Sequence, residues 1–203
     1  SITASVGFTA KGSAALLHQG RMHDLAVLGD EGAFDGFLVP VDLEALVLLV
    51  EHRFEEGVDI LGVERQLIRV RKMDRKARRA ALDNVRLLRL EAYYFVRYLV
   101  PLETVDRYVV FFPDPWPKDR HQHHRLFNAA FLDALHRTLK KGGELHFATD
   151  HLPYYFPVRQ LLLADNRFEV IPAYEPHEDE RTDFELMFRA TKSIGRLSLK
   201  KRD

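Results

Sequence analysis

Five acidic residues, Glu44, Glu64, Glu91, Asp114 and Asp150, each stand at or just beyond the carboxyl end of an apolar run. In an open α/β sheet the crevice outside the strand carboxyl ends is where ligands bind. Carboxylates gathered there would hold hydroxyls, amines or positive charge. Taken singly, each acid is explained as well by capping the helix that follows its strand. Five on one rim favour a site. Glu64 falls 20 residues after Glu44, the separation at which an acid after a second strand accepts hydrogen bonds from a nucleoside ribose. Against this, residues 45–53 (ALVLLVEHR) contain no glycine, so no turn after Glu44 lets backbone approach a ligand closely.

Pro113, Asp114, Pro115, Trp116 and Pro117 form the most unusual segment. Three prolines stiffen the loop and hold one carboxylate beside one indole, an arrangement suited to gripping a planar, hydrogen-bonding ring. The plainer alternative is a rigid turn whose indole packs on the core. Lys118, Arg120, His121, His123, His124 and Arg125 follow directly and are able to contact phosphates. The three histidines lack the i, i+4 spacing of a helical zinc pair, so no metal is expected. A second cationic stretch, Arg69, Arg71, Lys72, Arg75, Lys76, Arg78 and Arg79, faces a single acid, Asp74. Alone it reads as a solvated helix face. Two such stretches point to an anionic polymer.

The elements that must position these residues come from a chain of 203 residues, 46% apolar and 30% charged, enough for one domain with a sizeable core. No apolar run approaches the roughly 18 residues of a membrane span. The opening SITASVGFTAKG does not read as a secretory signal, and the cytoplasm is the expected compartment. With 30 basic and 30 acidic residues, only a local patch supplies positive field. Cysteine is absent, which excludes thiolate metal sites and cysteine nucleophiles. Residues 1–40 are interrupted by glycines and receive no role; residues 41–203 read as the functional domain.

From Val41, apolar runs alternate with helical periodicity, predicting an α/β fold with a mainly parallel sheet. Strands are expected at 41–44, 58–64, 84–88, 108–112, 144–149, 168–174 and 184–190. Helices are expected at 45–53, 66–82, 126–139 and 158–163, with a short amphipathic segment at 93–100. Gly142 and Gly143 are expected to stop the helix that begins at Leu126.

FFPDPWPKDRHQHHRL (111–126), with LGVE (61–64), GGELHFATD (142–150) and RTDFE (181–185), resembles the signature of the bacterial tRNA (guanine-N7)-methyltransferases. The likeness spans about residues 58–190. It implies a Rossmann-like class I methyltransferase fold: a mostly parallel seven-stranded sheet with its last strand antiparallel. It also implies S-adenosylmethionine as cofactor and guanine 46 in the variable loop of tRNA as the target. Within it, Glu44 would begin the cofactor loop, Glu64 would hold the cofactor ribose and Glu91 would lie near its adenine. Asp114 would be the acid at the reaction centre. Lys118, Asp150, Thr182, Asp183, Phe184 and Glu185 would contact substrate, and Arg120, His121, His123, His124 and Arg125 would contact RNA. Two positions depart from the pattern. Asp183 stands where the family has lysine, and the glycine-rich loop expected at Glu44 is absent. The gap reads either as a lost methyl-donor loop or as two family segments joined across missing residues, which the flanking residues favour.

The partner implied is tRNA, without a membrane, for a chain acting as a monomer or homodimer. The alternative is an RNA-binding module that keeps the fold with a degenerate cofactor site. A methyltransferase for small molecules or proteins would leave both cationic stretches without a purpose.

Overall fold

β-Branched and aromatic residues with both faces to bury make strands, and the run around Tyr108–Phe111 is the clearest case: Tyr108, Val109, Val110 and Phe111 are all buried. The structure is a computed structural model and describes residues 48–54, 57–176, 185 and 193–203. Its elements are β1 (Leu48–Phe54), β2 (Gly57–Glu64), α1 (Leu67–Arg79), β3 (Val85–Arg89), α2 (Ala92–Tyr98), β4 (Val105–Phe111), α3 (Ala129–Thr138), β5 (Leu139–Thr149), α4 (Leu152–Ala164), β6 (Phe168–Ile171) and β7 (Gly195–Lys201). A 3-10 segment, Asp119–His124, lies between β4 and α3.

The strands form one seven-stranded sheet in the order β3-β2-β1-β4-β5-β7-β6. On one face α2, α3 and α4 cover a core that includes Phe95, Phe131, Leu135, Phe147 and Leu162. On the other, α1 lays Val70 and Met73 against Ile60, Leu87 and Val109. On α1 Val70, Met73 and Ala77 are buried, while Arg71, Arg75, Arg78 and Arg79 are exposed, with Arg78 paired to Asp74 at 2.9 Å. No helix among the described residues is long and apolar enough to cross a membrane.

The sheet corrects the expectation in one respect. The last strand, β7, is antiparallel to β5 and β6 as expected, and β2–β3 and β4–β5 are parallel. β1, however, runs antiparallel to both its neighbours. Leu48–Phe54, expected to be largely helical, is instead a strand, joined to β2 as a hairpin in which Phe54 pairs with Gly57. The physical reason is the open slot between β2 and β4. Their facing N–H and C=O groups must be paired, and only an extended segment can pair them. The expected first strand at 41–44 lies outside the described residues.

The region around the expected helix stop also differs. Helix α3 ends at Thr138, before the glycines. There the Thr138 hydroxyl donates to the Ala134 carbonyl and also meets the Tyr108 hydroxyl at 2.7 Å. Gly142 and Gly143 instead lie inside β5, where the register jumps: Val105 pairs with Leu139, but Arg107 pairs with Glu144. Gly142 takes a φ of +71°, and a Cβ on Gly143 would stand 2.9 Å from the Lys140 carbonyl oxygen. These glycines permit an irregularity in the strand rather than a helix stop. The strand expected at 184–190 falls outside the described residues except for Glu185, which is helical.

Candidate functional site

β2, β3 and β4 run in one direction, so their carboxyl ends share an edge of the sheet. A cavity of about 400 Å³ opens there. Its walls include Glu64, Glu91, Asp114, Trp116, His124 and Arg125, together with Val63, Leu90, Ala92 and Tyr93. Three of the five sequence-predicted acids thus meet at one place.

They do not play equal parts. Glu91 closes β3 and caps α2, its two oxygens accepting from Tyr93 N–H at 2.9 Å and Tyr94 N–H at 2.7 Å. The capping alternative accounts for its position, and the carboxylate forms cavity wall. Glu64 closes β2 and is 2% exposed. Its Oε1 accepts from Gln66 N–H at 2.6 Å, while Oε2 reaches Arg69 only at 3.5 Å. Burial raises the Glu64 pKa above the usual carboxylate value; the Gln66 N–H and the Arg69 charge oppose this in part.

Asp114 sits in a loop held under strain. Phe112 and Trp116, both followed by proline, take φ of +50° and +42°. Proline disfavours the right-handed helical region for the residue before it, and each left-handed non-glycine residue costs on the order of 1–3 kcal/mol. The surroundings hold the loop in place. Phe112 N–H donates to the Ala148 carbonyl at 2.8 Å, and Arg125 Nε donates to the Pro115 carbonyl at 2.9 Å. Arg125 in turn lies 5.0 Å from the ring centre of Tyr154. The Tyr154 hydroxyl accepts from Phe127 N–H at 3.2 Å, and burial pushes its pKa up to about 12.

The Trp116 ring packs against imidazoles, with ring centres 5.0 Å from His124 and 5.8 Å from His121. His123 stands 3.9 Å from His124. Desolvation, then the neighbouring His123, His121 and Arg65, lower the His124 pKa. Lys118 and Arg120 are exposed.

Asp150 follows β5, whose carboxyl end lies on the same edge as that of β4, and it is not among the residues lining the cavity. Glu185 is fully buried and accepts from Arg196 Nη2. Glu44, Thr182, Asp183 and Phe184 lie outside the described residues. Sequence reasoning missed Gln66, Tyr93, Asn128 and Tyr154. Asn128 carried a local signal, a cap residue before an apolar helix: its Oδ1 accepts from Phe131 N–H at 2.9 Å. Tyr154 had none, since its role depends on α4 reaching under a distant loop.

A doubly wound sheet with a carboxylate-lined cavity at the strand carboxyl ends has the form of an α/β protein that binds its ligand at that edge. Residues 54–201 match the family model described as "Putative methyltransferase", and the chain belongs to that methyltransferase family, as the motif at 111–126 indicates. It is 41% identical over 128 residues to a tRNA (guanine-N(7)-)-methyltransferase of Halorhodospira halophila, covering 63% of this chain and 54% of that one. It is 41% identical over 120 residues to one of Thermus thermophilus, covering 58% and 39%. A third, from Nitrosospira multiformis, is 29% identical over 171 residues and covers 83% and 74%. The chain spans about half the length of most of the curated relatives it matches. Among solved structures, NSun6 from Pyrococcus horikoshii with SFG superimposes with a TM-score of 0.51 at 15% identity, covering 73% of this chain and 42% of that one. That likeness concerns the fold.

Proposed function

We propose that the protein transfers a methyl group from S-adenosylmethionine to N7 of a guanine in tRNA, guanine 46 of the variable loop, in the cytoplasm. The observation that carries this reading is the meeting of Asp114 and Trp116 with Glu64 in one cavity. The names of the curated relatives supply the substrate.

The cavity suits the nucleoside half of the donor. About 400 Å³ falls in the range of small-ligand sites, Glu64 Oε2 is held only loosely by Arg69, and Val63, Leu90 and Ala92 give an apolar wall. When bound, the donor supplies an electrophilic methyl on a sulfonium. Guanine N7 is a lone-pair acceptor with no proton to remove, so the chain's work is placement. Asp114 would accept hydrogen bonds from the base's ring N–H and amino group and offset the positive charge that the ring acquires. Trp116 and His124 would bound the base. No general base is required, which leaves the histidines for RNA contact with Lys118, Arg120 and Arg125.

An Asp114→Ala variant should bind tRNA as the wild type does and transfer methyl at least 100-fold more slowly, on the order of removing one charge-stabilising group from a reaction centre. Near-normal turnover refutes the assignment. The reversed β1 favours a second reading, an RNA-binding module with a degenerate donor site, because the turn after β1 now lies at the opposite edge of the sheet from Glu64. Calorimetry with S-adenosylmethionine separates the two readings: no heat of binding supports the module.

A further inference from the structure

Helix α2 presents two aromatic rings that the core does not use. Its apolar side, Ala92, Phe95 and Val96, is buried. Tyr94 and Tyr98, one helical turn apart, are 49% and 61% exposed. Their ring centres are 5.1 Å apart at a tilt of 48°, and the Arg97 guanidinium carbon lies 5.7 Å from the centre of the Tyr98 ring. Large exposed aromatics beside a cation make a surface suited to stacking bases while neutralising phosphate.

The helix that carries the platform begins at the cavity. Ala92 and Tyr93 form cavity wall, and the Glu91 carboxylate that lines it grips Tyr94 N–H at 2.7 Å. From Ala92 to Tyr98 the helix rises by roughly 9 Å. We propose that Tyr94, Tyr98 and Arg97 form a stacking platform for an unpaired nucleotide flanking the reacting base. This rests on RNA being the substrate. A nucleotide fits better than an apolar protein surface because the patch is two tilted rings with a cation, carried on a helix whose first residues line the cavity. Tyr94 and Tyr98 are then positioning residues, contributing to substrate binding and leaving the chemical step alone.

The test uses the full 203-residue chain and an unmodified tRNA transcript. In Y94A/Y98A the KM for tRNA rises about tenfold, as expected when one or two base stacks are removed. Its kcat at saturating tRNA and its affinity for S-adenosylmethionine stay unchanged. Y94F/Y98F keeps both rings and behaves as wild type. Y98A alone, the more exposed position, gives a smaller rise of the same kind and serves if the double variant folds poorly. A wild-type KM in Y98A, or a fall in kcat with KM unchanged, overturns the platform. So does disruption of a protein complex by the alanine variants with KM intact. Failure of the wild-type chain itself to bind tRNA overturns the RNA reading and the platform together, and is told apart because it precedes any substitution.

Discussion

Glu64 Oε1 accepts from the backbone N–H of Gln66 at 2.6 Å, while the other oxygen of the same buried carboxylate lies 3.5 Å from the Arg69 guanidinium. A charge so placed weakens the fold. Because its pKa is raised by burial, Glu64 contributes stability that is fully present below the ordinary carboxylate pKa and lost as pH rises through the elevated value. At neutral pH the native state carries that penalty. E64Q, which can still accept from Gln66, should raise the melting temperature at pH 7.5 by a few degrees. The gain should shrink below pH 4.5, the ordinary value. Affinity for S-adenosylmethionine should fall about tenfold, the loss expected for one charge-assisted hydrogen bond. Scanning calorimetry and titration read both, and a destabilised variant contradicts the argument.

On the α1 side of the sheet His146 is buried neutral. Its Nδ1 accepts from the Ser198 hydroxyl at 2.8 Å, and the same oxygen accepts from Tyr174 N–H at 2.9 Å. Its Nε2–H donates to Glu144 at 3.1 Å. Desolvation and then the Arg107 charge lower its pKa to about 4, against the opposing pull of Glu144. A depressed histidine contributes stability present above pH 6.5 and lost as pH falls through about 4. The loss should be on the order of 3 kcal/mol. H146Q should flatten the wild-type decline in denaturation midpoint across that window; parallel curves for the two proteins exclude it.

Arg125 holds the Asp114 loop through the Pro115 carbonyl. R125Q should cut kcat by about tenfold or more, since small misplacements near a reacting centre are costly, with a loss of stability of only about 1 kcal/mol. Methyl-transfer assays with thermal melts decide it. An unchanged kcat shows that the loop's strained backbone holds itself.

The exposed arginines of α1 should act through counterion release. For wild type, log K for tRNA should fall linearly with log salt concentration. R71Q/R75Q/R79Q should reduce that slope by about one for each phosphate no longer neutralised. An identical slope leaves α1 as a solvated helix face.

Much of the site was legible from the chain. YVVFF read as a covered strand, which holds for Tyr108–Phe111, and the prolines around Asp114 and Trp116 announced a fixed carboxylate beside an indole. Strand ends located Glu64, Glu91 and Asp114, because these signals are local: proline geometry, β-branched runs and the acid after a strand act within a few residues. Tertiary structure decided the rest. An apolar stretch such as ALVLLV serves a helix or a strand equally well, and Leu48–Phe54 became β1, reversed, because the gap between β2 and β4 needed its hydrogen bonds. The same holds for the Arg196 partner of Glu185 and for Tyr154 beneath Arg125. Each depends on which distant segments share a face, and that is set by pairing and packing across the whole sheet.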